Sequence, residues 1–298
     1  MFDAVHADPS PALQQSREYA QTLELLGQSP KRLADGTLTL HRRWCGIPLT
    51  MLPRARMPDP ETTLACLASV GVRGPVIFSP DHPSDLSEIG ALPLVSPATV
   101  ARLDLTPPPD ALEAHLHQKW RNRLRHARAQ GLRVTRQNMP DDPNHWLFQA
   151  DSAQRKQRRY HTWPTSLTLA WMRANRSGAK LFTAFDGRDA VAALLILRHG
   201  TGAAYHMGHT TEPGRRSSAH TLLLWYAMMW LHGKGVTSLD LGTIDTEDTP
   251  GLTRFKLGTG AEPQRLGGTW LCWPPLTTRL GPLARMDRTL MQGLWTAR

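Results

Sequence analysis

The stretch from Ala203 to Gly260 carries the pattern that most restricts the fold of this chain. Residues 203–208 form a short aromatic-bearing run before a turn-forming basic loop, which predicts a strand that ends at the loop. Apolar residues recur at helical spacing over residues 218–232, and Gly233 ends that run. Residues 236–241 predict a second strand. A strand, a helix and a strand in this order predict two adjacent parallel strands.

The loop before the predicted helix consists of Gly214, Arg215, Arg216, Ser217 and Ser218. A helix N-terminus presents unpaired backbone N–H groups, and its dipole favours negative charge. Two guanidinium groups beside it strengthen the attraction for an anion. We therefore predict a phosphate or pyrophosphate site at this loop, with a solvated turn as the alternative interpretation.

Two short motifs come after the predicted helix. They are Asp240-Leu241-Gly242, at a predicted strand end, and Phe255-Lys256-Leu257-Gly258. The order of strand, Arg/Gly loop, helix and strand resembles the acyl-CoA-binding core of the GNAT acyltransferases. The two motifs are similar to those of the FemAB-like branch, whose members contain two GNAT-type domains. A basic helix upstream also matches that branch through Lys119, Arg121, Asn122, Arg125, Ala127 and Gly131. The resemblance covers roughly residues 13–273.

This resemblance implies an α/β fold of two GNAT-like domains, each a mixed sheet flanked by helices. Alternating short strands and helices in the first half predict the same class. We place an N-terminal GNAT-like domain at residues 11–139 and a catalytic GNAT-like domain at residues 140–275. Residues 276–298 are expected to form an amphipathic helix that docks on the protein or on a membrane surface.

Three further elements are predicted from the residue pattern. Residues 107–131 are expected to form one helix whose exposed faces bind phosphate or RNA, or are simply solvated; its basic residues are Lys119, Arg121, Arg123, Arg125, His126 and Arg128. Residues 180–186 and 190–198 predict a hairpin. Residues 268–273 are expected to close the sheet of the second domain.

Composition restricts the class of partner and the compartment. The 298 residues carry a net charge of +10, so nucleotides, coenzyme A, tRNA and anionic membrane surfaces are expected partners, although the arginines also serve solubility. The three cysteines are far apart and indicate neither a metal site nor a disulfide framework. The sequence shows no signal-peptide pattern and no long apolar run, so we expect a cytoplasmic protein.

Acyl transfer to an amine requires a positioned donor, a route for the amine proton and stabilisation of an oxyanion. The chain has no GxSxG nucleophile motif, which favours direct attack. Of the histidines near the predicted donor loop, we prefer His209 as the base to His206 and His220, because it lies at the strand exit. Asp240 is expected to orient an ammonium or act as a base, with a turn cap as the alternative. The role of Lys256 comes only from the FemAB-like resemblance, which implies a contact with the charged acceptor or intermediate.

The sequence therefore predicts an N-acyltransferase with acyl-CoA as co-substrate and no permanently bound cofactor. The acceptor is expected to be an amine-bearing small molecule or peptide near Asp240 and Lys256. Two alternatives stay open: an aminoacyl-tRNA-dependent transferase, and a non-enzymatic nucleic-acid-binding or scaffold module.

Overall fold

The computed structural model describes residues 10–57, 59–158 and 163–273. These residues form two compact units. Of the described residues, the first unit comprises 10–13, 17–26 and 100–263, and the second comprises 14–16, 27–99 and 264–273. Each unit contains a mixed β-sheet and a cluster of buried apolar residues, which confirms the expected α/β architecture of two mixed sheets flanked by helices.

Helices and strands alternate along most of the described chain. A 3-10 helix at Leu13–Gln15 precedes helices α1 (Arg17–Leu25), α2 (Pro60–Ser69), α3 (Pro109–His115), α4 (Gln118–Arg128), α5 (Trp146–Arg158), α6 (Thr165–Ala174), α7 (Glu212–Arg216), α8 (Ala219–His232) and α9 (Pro250–Leu257). The strands are β1 (Lys31–Arg32), β2 (Leu38–Trp44), β3 (Ile47–Ala55), β4 (Val76–Pro80), β5 (Leu92–Val95), β6 (Thr99–Asp104), β7 (Arg133–Asn138), β8 (Ala179–Asp186), β9 (Asp189–His199), β10 (Gly202–Thr210), β11 (Ser238–Ile244), β12 (Glu262–Arg265) and β13 (Thr269–Cys272).

The second unit is organised around a six-stranded sheet with the order β1-β2-β3-β4-β13-β5. Strands β3 and β4 are parallel and bring Leu52 opposite Phe78. Asp59 caps the start of helix α2, and its carboxylate accepts the backbone N–H of Glu61. The helix buries Leu67 in the same core cluster as Leu52 and Phe78. Burial of these apolar side chains supplies the main stabilisation of this unit.

The first unit is organised around a seven-stranded sheet with the order β12-β6-β11-β10-β9-β8-β7. Residues 191–197 of β9 are all apolar and buried, as expected for a strand at the centre of a covered sheet. Helix α8 buries Leu222, Leu223 and Leu224 in the core that includes β9. Most of the apolar run that predicted this helix is therefore buried, whereas Tyr226 is exposed.

Strands β10 and β11 are parallel neighbours, as predicted, but they pair over only three positions. Gly202, Ala203 and Ala204 lie opposite Ser238, Leu239 and Asp240. Beyond this register β10 continues to Thr210 and β11 continues to Ile244. A bulge between Tyr205 and Met207 interrupts the pairing of β10 with β9 just where the pairing with β11 ends. Bulges re-aim side chains, and this one lies beside the opening between the two parallel strands.

Three elements differ from the sequence-based expectations. The single helix predicted at 107–131 is two helices, because Leu116 and His117 are extended and the His117 N–H donates to Gly258 O at 2.9 Å. The basic loop before α8 contains the short helix α7. Residues 268–273 do not close the first unit's sheet, because β13 pairs with β4 and β5 of the other sheet.

The domain boundary that we placed between residues 139 and 140 falls inside the first compact unit. Strand β7 ends at Asn138 and pairs with β8 along its length, so the chain on both sides of that position belongs to one sheet. The helix expected at 276–298 lies outside the described residues.

Candidate functional site

We call the region between β10 and β11 beyond their three paired positions the opening, and a tyrosine–histidine pair lies on its β10 side. The Tyr205 hydroxyl lies 2.9 Å from Nε2 of His220, which is in the first turn of α8. Gly208 leaves room for this pair, since a Cβ there would lie 2.2 Å from the Tyr205 hydroxyl oxygen and 2.6 Å from Cε1 of His220. Any larger residue at position 208 displaces one partner.

The imidazole of His220 is neutral at physiological pH. Burial lowers the pKa of His220 to about 4, and the nearby His209 contributes in the same direction. Nδ1 of His220 is buried and has no hydrogen-bond partner among the described residues. Buried polar atoms are normally paired, so this ring nitrogen is an exception among the described core residues.

Lys256, on α9, contacts β11 beyond its paired positions. Its side chain is 7% exposed, and Nζ donates to the backbone carbonyl of Thr243 at 2.7 Å. Burial lowers the pKa of Lys256 to about 8, while the carboxylate of Asp240 acts against that shift. The ammonium form therefore still dominates at pH 7 and carries donors beyond the one used by Thr243.

Asp240 lies within β11, which continues to Ile244, and not at the strand end that the sequence predicted. It accepts the backbone N–H of Gly242 at 2.7 Å, and a guanidinium nitrogen of Arg102 lies 3.9 Å away. Gly242 has a φ of 79°, a conformation that glycine adopts without strain. The structure thus brings Asp240 and Lys256 together, and it also shows the turn-capping contact that was the alternative interpretation of Asp240.

Helix α9 is fixed in place by its own side chains. The Thr253 hydroxyl donates to the carbonyl of Asp245 at 2.6 Å and accepts the N–H of Asp245 at 3.1 Å. Phe255, next to Lys256, contacts the rings of His220 at 5.5 Å and Trp120 at 6.1 Å between centroids. This aromatic contact joins the lysine side of the site to the tyrosine–histidine side.

His209 and His206 occupy different surroundings. The ring of His209 meets Trp146 edge-on at 6.1 Å, and its pKa is lowered by partial burial and by the charge of Arg215. His206 is bonded through Nε2 to the Thr168 hydroxyl at 2.8 Å, and burial lowers its pKa to about 4. His209 therefore stays the accessible candidate base of the two, and His206 is part of the packing.

The backbone of the predicted donor loop is largely bonded to itself. Its N–H groups donate within the segment: Gly214 to the Thr211 hydroxyl at 3.3 Å, Arg215 to Thr211 O at 2.9 Å, Ser217 to Pro213 O at 3.0 Å and Ser218 to Arg215 O at 3.1 Å. Ser218 adopts a left-handed conformation, with φ 55°, before α8 begins. Four of the N–H groups expected to face an anion are therefore used internally.

The two arginines of this loop face a carboxylate. Arg215 lies 3.3 Å and Arg216 3.7 Å from Glu212, and both side chains are exposed. Arg215 interacts electrostatically with His209, and Asp240 interacts electrostatically with Lys256, so the candidate residues form two separate pairs. An anion at this loop competes with Glu212 for both guanidinium groups.

Comparison with known proteins gives the family. Residues 114–263, just over half of the chain, match the acetyltransferase (GNAT) domain family. The chain belongs to the GNAT family. A search of curated proteins finds no match.

Solved structures share the fold of this GNAT protein at low sequence identity. FemX superposes with a TM-score of 0.71 at 15% identity, covering 92% of this chain and 96% of FemX. The C-terminal domain assigned to a lysylphosphatidylglycerol synthetase of Agrobacterium fabrum gives 0.55 at 14% identity, with 94% of each chain covered. L-PGS from Bacillus licheniformis gives 0.52 at 12% identity, covering 94% and 98%. FemX matches nearly the whole chain, which agrees with the two-domain architecture implied by the FemAB-like resemblance.

The length and hydropathy of the helices determine whether one of them could cross a membrane. No helix among the described residues is both long enough and apolar enough to span a bilayer.

Proposed function

We propose that this GNAT protein transfers an acyl group from an activated ester or thioester to an amine by direct attack, in the opening between β10 and β11. The observation that carries the proposal is the buried Lys256 beside Asp240, joined through Phe255 to the Tyr205–His220 pair. A nucleophilic side chain is not needed, because the amine itself attacks.

Each group has a task that follows from its surroundings. Asp240 attracts the acceptor as an ammonium and accepts a proton from it, the base role that the sequence also allowed for this carboxylate. The amine nitrogen then bonds to the carbonyl carbon, and the Lys256 ammonium donates to the resulting oxyanion. When the tetrahedral intermediate collapses, the bond to the leaving oxygen or sulfur breaks. The Tyr205 hydroxyl, hydrogen-bonded to neutral His220, gives that atom a proton. The Tyr205 phenolate then takes the extra proton from the positively charged nitrogen of the new bond, which leaves a neutral amide.

The donor that we favour is an aminoacyl-tRNA. The donor loop of 214–218 uses its backbone N–H groups internally and pairs both arginines with Glu212, an arrangement that does not favour the pyrophosphate of acyl-CoA. The name of the Agrobacterium fabrum protein describes attachment of a lysyl group to a lipid, which is aminoacyl transfer. Acyl-CoA, the donor predicted from the sequence, is the second candidate because Arg215 and Arg216 retain exposed guanidinium groups.

A transfer assay separates these donors. Purified protein is incubated with radiolabelled aminoacyl-tRNAs, acetyl-CoA or a long-chain acyl-CoA, together with a panel of amines and short peptides, and amide product is counted. We expect product from aminoacyl-tRNA, and at least a tenfold lower rate for Gly208→Ala, whose added methyl displaces the Tyr205–His220 pair. Gly251→Ala is the matched control, since a Cβ there meets no atom within 4 Å.

Binding measurements complete the test. Calorimetric titration with acetyl-CoA that saturates, and is lost in Arg215→Ala/Arg216→Ala, would make acyl-CoA the donor instead. No product with any donor, in protein that is folded by circular dichroism, would overturn the transferase mechanism proposed for this site.

A further inference from the structure

A basic pocket lies at the other end of the first unit's sheet from the transfer opening. The cavity has a volume of about 520 Å³ and is lined by three arginines, Arg17, Arg176 and Arg198. Glu18 is the one carboxylate in its described lining, and it accepts the backbone N–H of Gly200 at 2.9 Å. The pocket therefore offers guanidinium donors around a carboxylate that is already engaged.

The positive charge continues from the pocket along one face of the sheet. In the pairing of β7, β8 and β9, Arg136 lies opposite Phe182, and Lys180 lies opposite both Asn138 and Ile196. Residues directly opposite each other point to the same face, and alternate residues share it, so Arg136, Lys180 and Arg198 lie on one face. Lys234 follows the end of α8 and interacts electrostatically with Lys180.

An aromatic ring supports this row of cations. The guanidinium carbon of Arg136 lies 5.4 Å and the Lys180 nitrogen 5.9 Å from the ring centroid of Trp230. Burial lowers the pKa of Lys180, and Arg136, Arg198 and Lys234 act in the same direction. We call Arg17, Arg136, Arg176, Lys180, Arg198 and Lys234 the basic face.

The basic face is not neutralised within the described part of the chain. None of its six cations forms an ion pair with a described carboxylate, although Arg128, Arg173 and Arg215 elsewhere in the unit do. Clustered cations repel one another, and a polyanion relieves that repulsion while releasing its own counterions. A single small anion occupies only two or three such groups, whereas six of them, three lining the pocket and three beside it, suit a chain of phosphates.

We propose that the basic face binds the phosphodiester backbone of RNA, namely that of the tRNA whose aminoacyl end enters the opening between β10 and β11. This inference rests on the proposed function. Strand β10 has nine residues and therefore spans about 26 Å from the pocket end to the end that bears His209. An RNA duplex whose terminus reaches the opening extends over that length with many phosphates.

The test measures binding of fluorescently labelled, deacylated tRNA to the full chain over a range of salt concentrations. We expect Lys180→Gln/Arg198→Gln, and separately the more exposed pair Arg136→Gln/Lys234→Gln, to weaken binding. Each lost phosphate contact should also lower the slope of log K against log salt by about 1. The control, Lys31→Gln/Arg43→Gln, removes the same charge from exposed positions of the other sheet and should leave the slope unchanged.

Equal slopes and affinities in both basic-face variants and the control would overturn the proposal. AMP and inorganic phosphate serve as competitors. If the Arg198 substitution weakens binding of either small phosphate but leaves tRNA binding unchanged, the pocket binds a small phosphate and the proposal fails. Because deacylated tRNA undergoes no transfer, basic-face binding without amide formation would refute only the proposed function. Aminoacyl transfer whose KM is unchanged in the variants would refute only the RNA surface.

Discussion

At the scale of single residues, the pKa of Lys256 determines how the proposed reaction depends on pH. With a pKa lowered to about 8, the side chain is mainly an ammonium at pH 7 and loses its proton as the pH rises through 8. The ammonium is the form that stabilises an oxyanion, so kcat/KM should fall on the alkaline side with an apparent pKa near 8. The acidic limb reports on the acceptor amine and the base that deprotonates it.

Two substitutions isolate that alkaline limb. Lys256→Met should lower kcat/KM by roughly 10²- to 10³-fold, as expected for loss of an oxyanion donor. Lys256→Arg should retain more activity and lose the alkaline limb, because a guanidinium does not titrate in this range. The test is kcat/KM of both variants measured from about pH 6 to pH 9.5. An unchanged alkaline limb in Lys256→Arg would exclude Lys256 as the titrating group.

Single residues also show which parts of the candidate site could be predicted from the sequence. The Asp240 and Lys256 motifs predicted two groups near one site, and the structure places them in electrostatic contact. The Tyr205–His220 pair was not predicted, although His220 was a candidate, because the partners are 15 residues apart on a strand and a helix. Their contact depends on the bulge in β10 and on how α8 packs, and neither feature has a local sequence signal.

At the scale of elements, the position of Lys256 depends on the start of α9. The Thr253 hydroxyl makes two hydrogen bonds to the backbone of Asp245, one as donor and one as acceptor, and is buried. Thr253→Val keeps the shape and removes both bonds, so it should destabilise the protein by about 1–3 kcal/mol and lower transfer activity. Thr249→Val is the control, since the Thr249 hydroxyl makes one exposed contact, to the same Asp245 carbonyl.

Urea unfolding and transfer rates of both variants provide the check. Equal effects of Thr253→Val and Thr249→Val would mean that the Thr253 bonds do not position α9. A loss of stability without a loss of activity would mean that the Thr253 hydrogen bonds stabilise the loop but do not determine the position of Lys256.

Element boundaries were predictable where the signal is local. Apolar periodicity followed by glycine located α8, and the apolar run at 191–197 located β9. The break between α3 and α4 was missed, because no proline or glycine marks it and the His117 N–H is held by Gly258, a residue far along the chain. The same limit applies to β13, whose partners β4 and β5 lie far away in the sequence.

At the scale of the whole molecule, the two compact units explain why a division of the chain at one position is too simple. Among the described residues, the second unit combines 27–99 with 264–273, and the first contains 17–26 as well as 100–263. Composition changes along the chain predict contiguous domains, whereas sheet pairing between distant segments is a property of the folded state.

The two core clusters lead to a prediction about local stability. Phe78 is fully buried in the core of the second unit, and Leu223 is fully buried in the core of the first. Truncating either side chain leaves a cavity, at a cost of about 3–5 kcal/mol for Phe78→Ala and about 2–5 kcal/mol for Leu223→Ala. Proteins open in cooperative parts, so each substitution should raise amide exchange chiefly in its own unit.

Hydrogen exchange followed by mass spectrometry measures this directly. Phe78→Ala should speed exchange in β2, β3, β4 and β13 while β8, β9 and β10 stay protected, and Leu223→Ala should give the reverse pattern. Equal acceleration of both sheets in either variant would show a single cooperative structure instead. The expected pattern has a consequence for the transfer site: Lys256 and the Tyr205–His220 pair all belong to the first unit, so their geometry should survive Phe78→Ala under conditions where only the second unit opens.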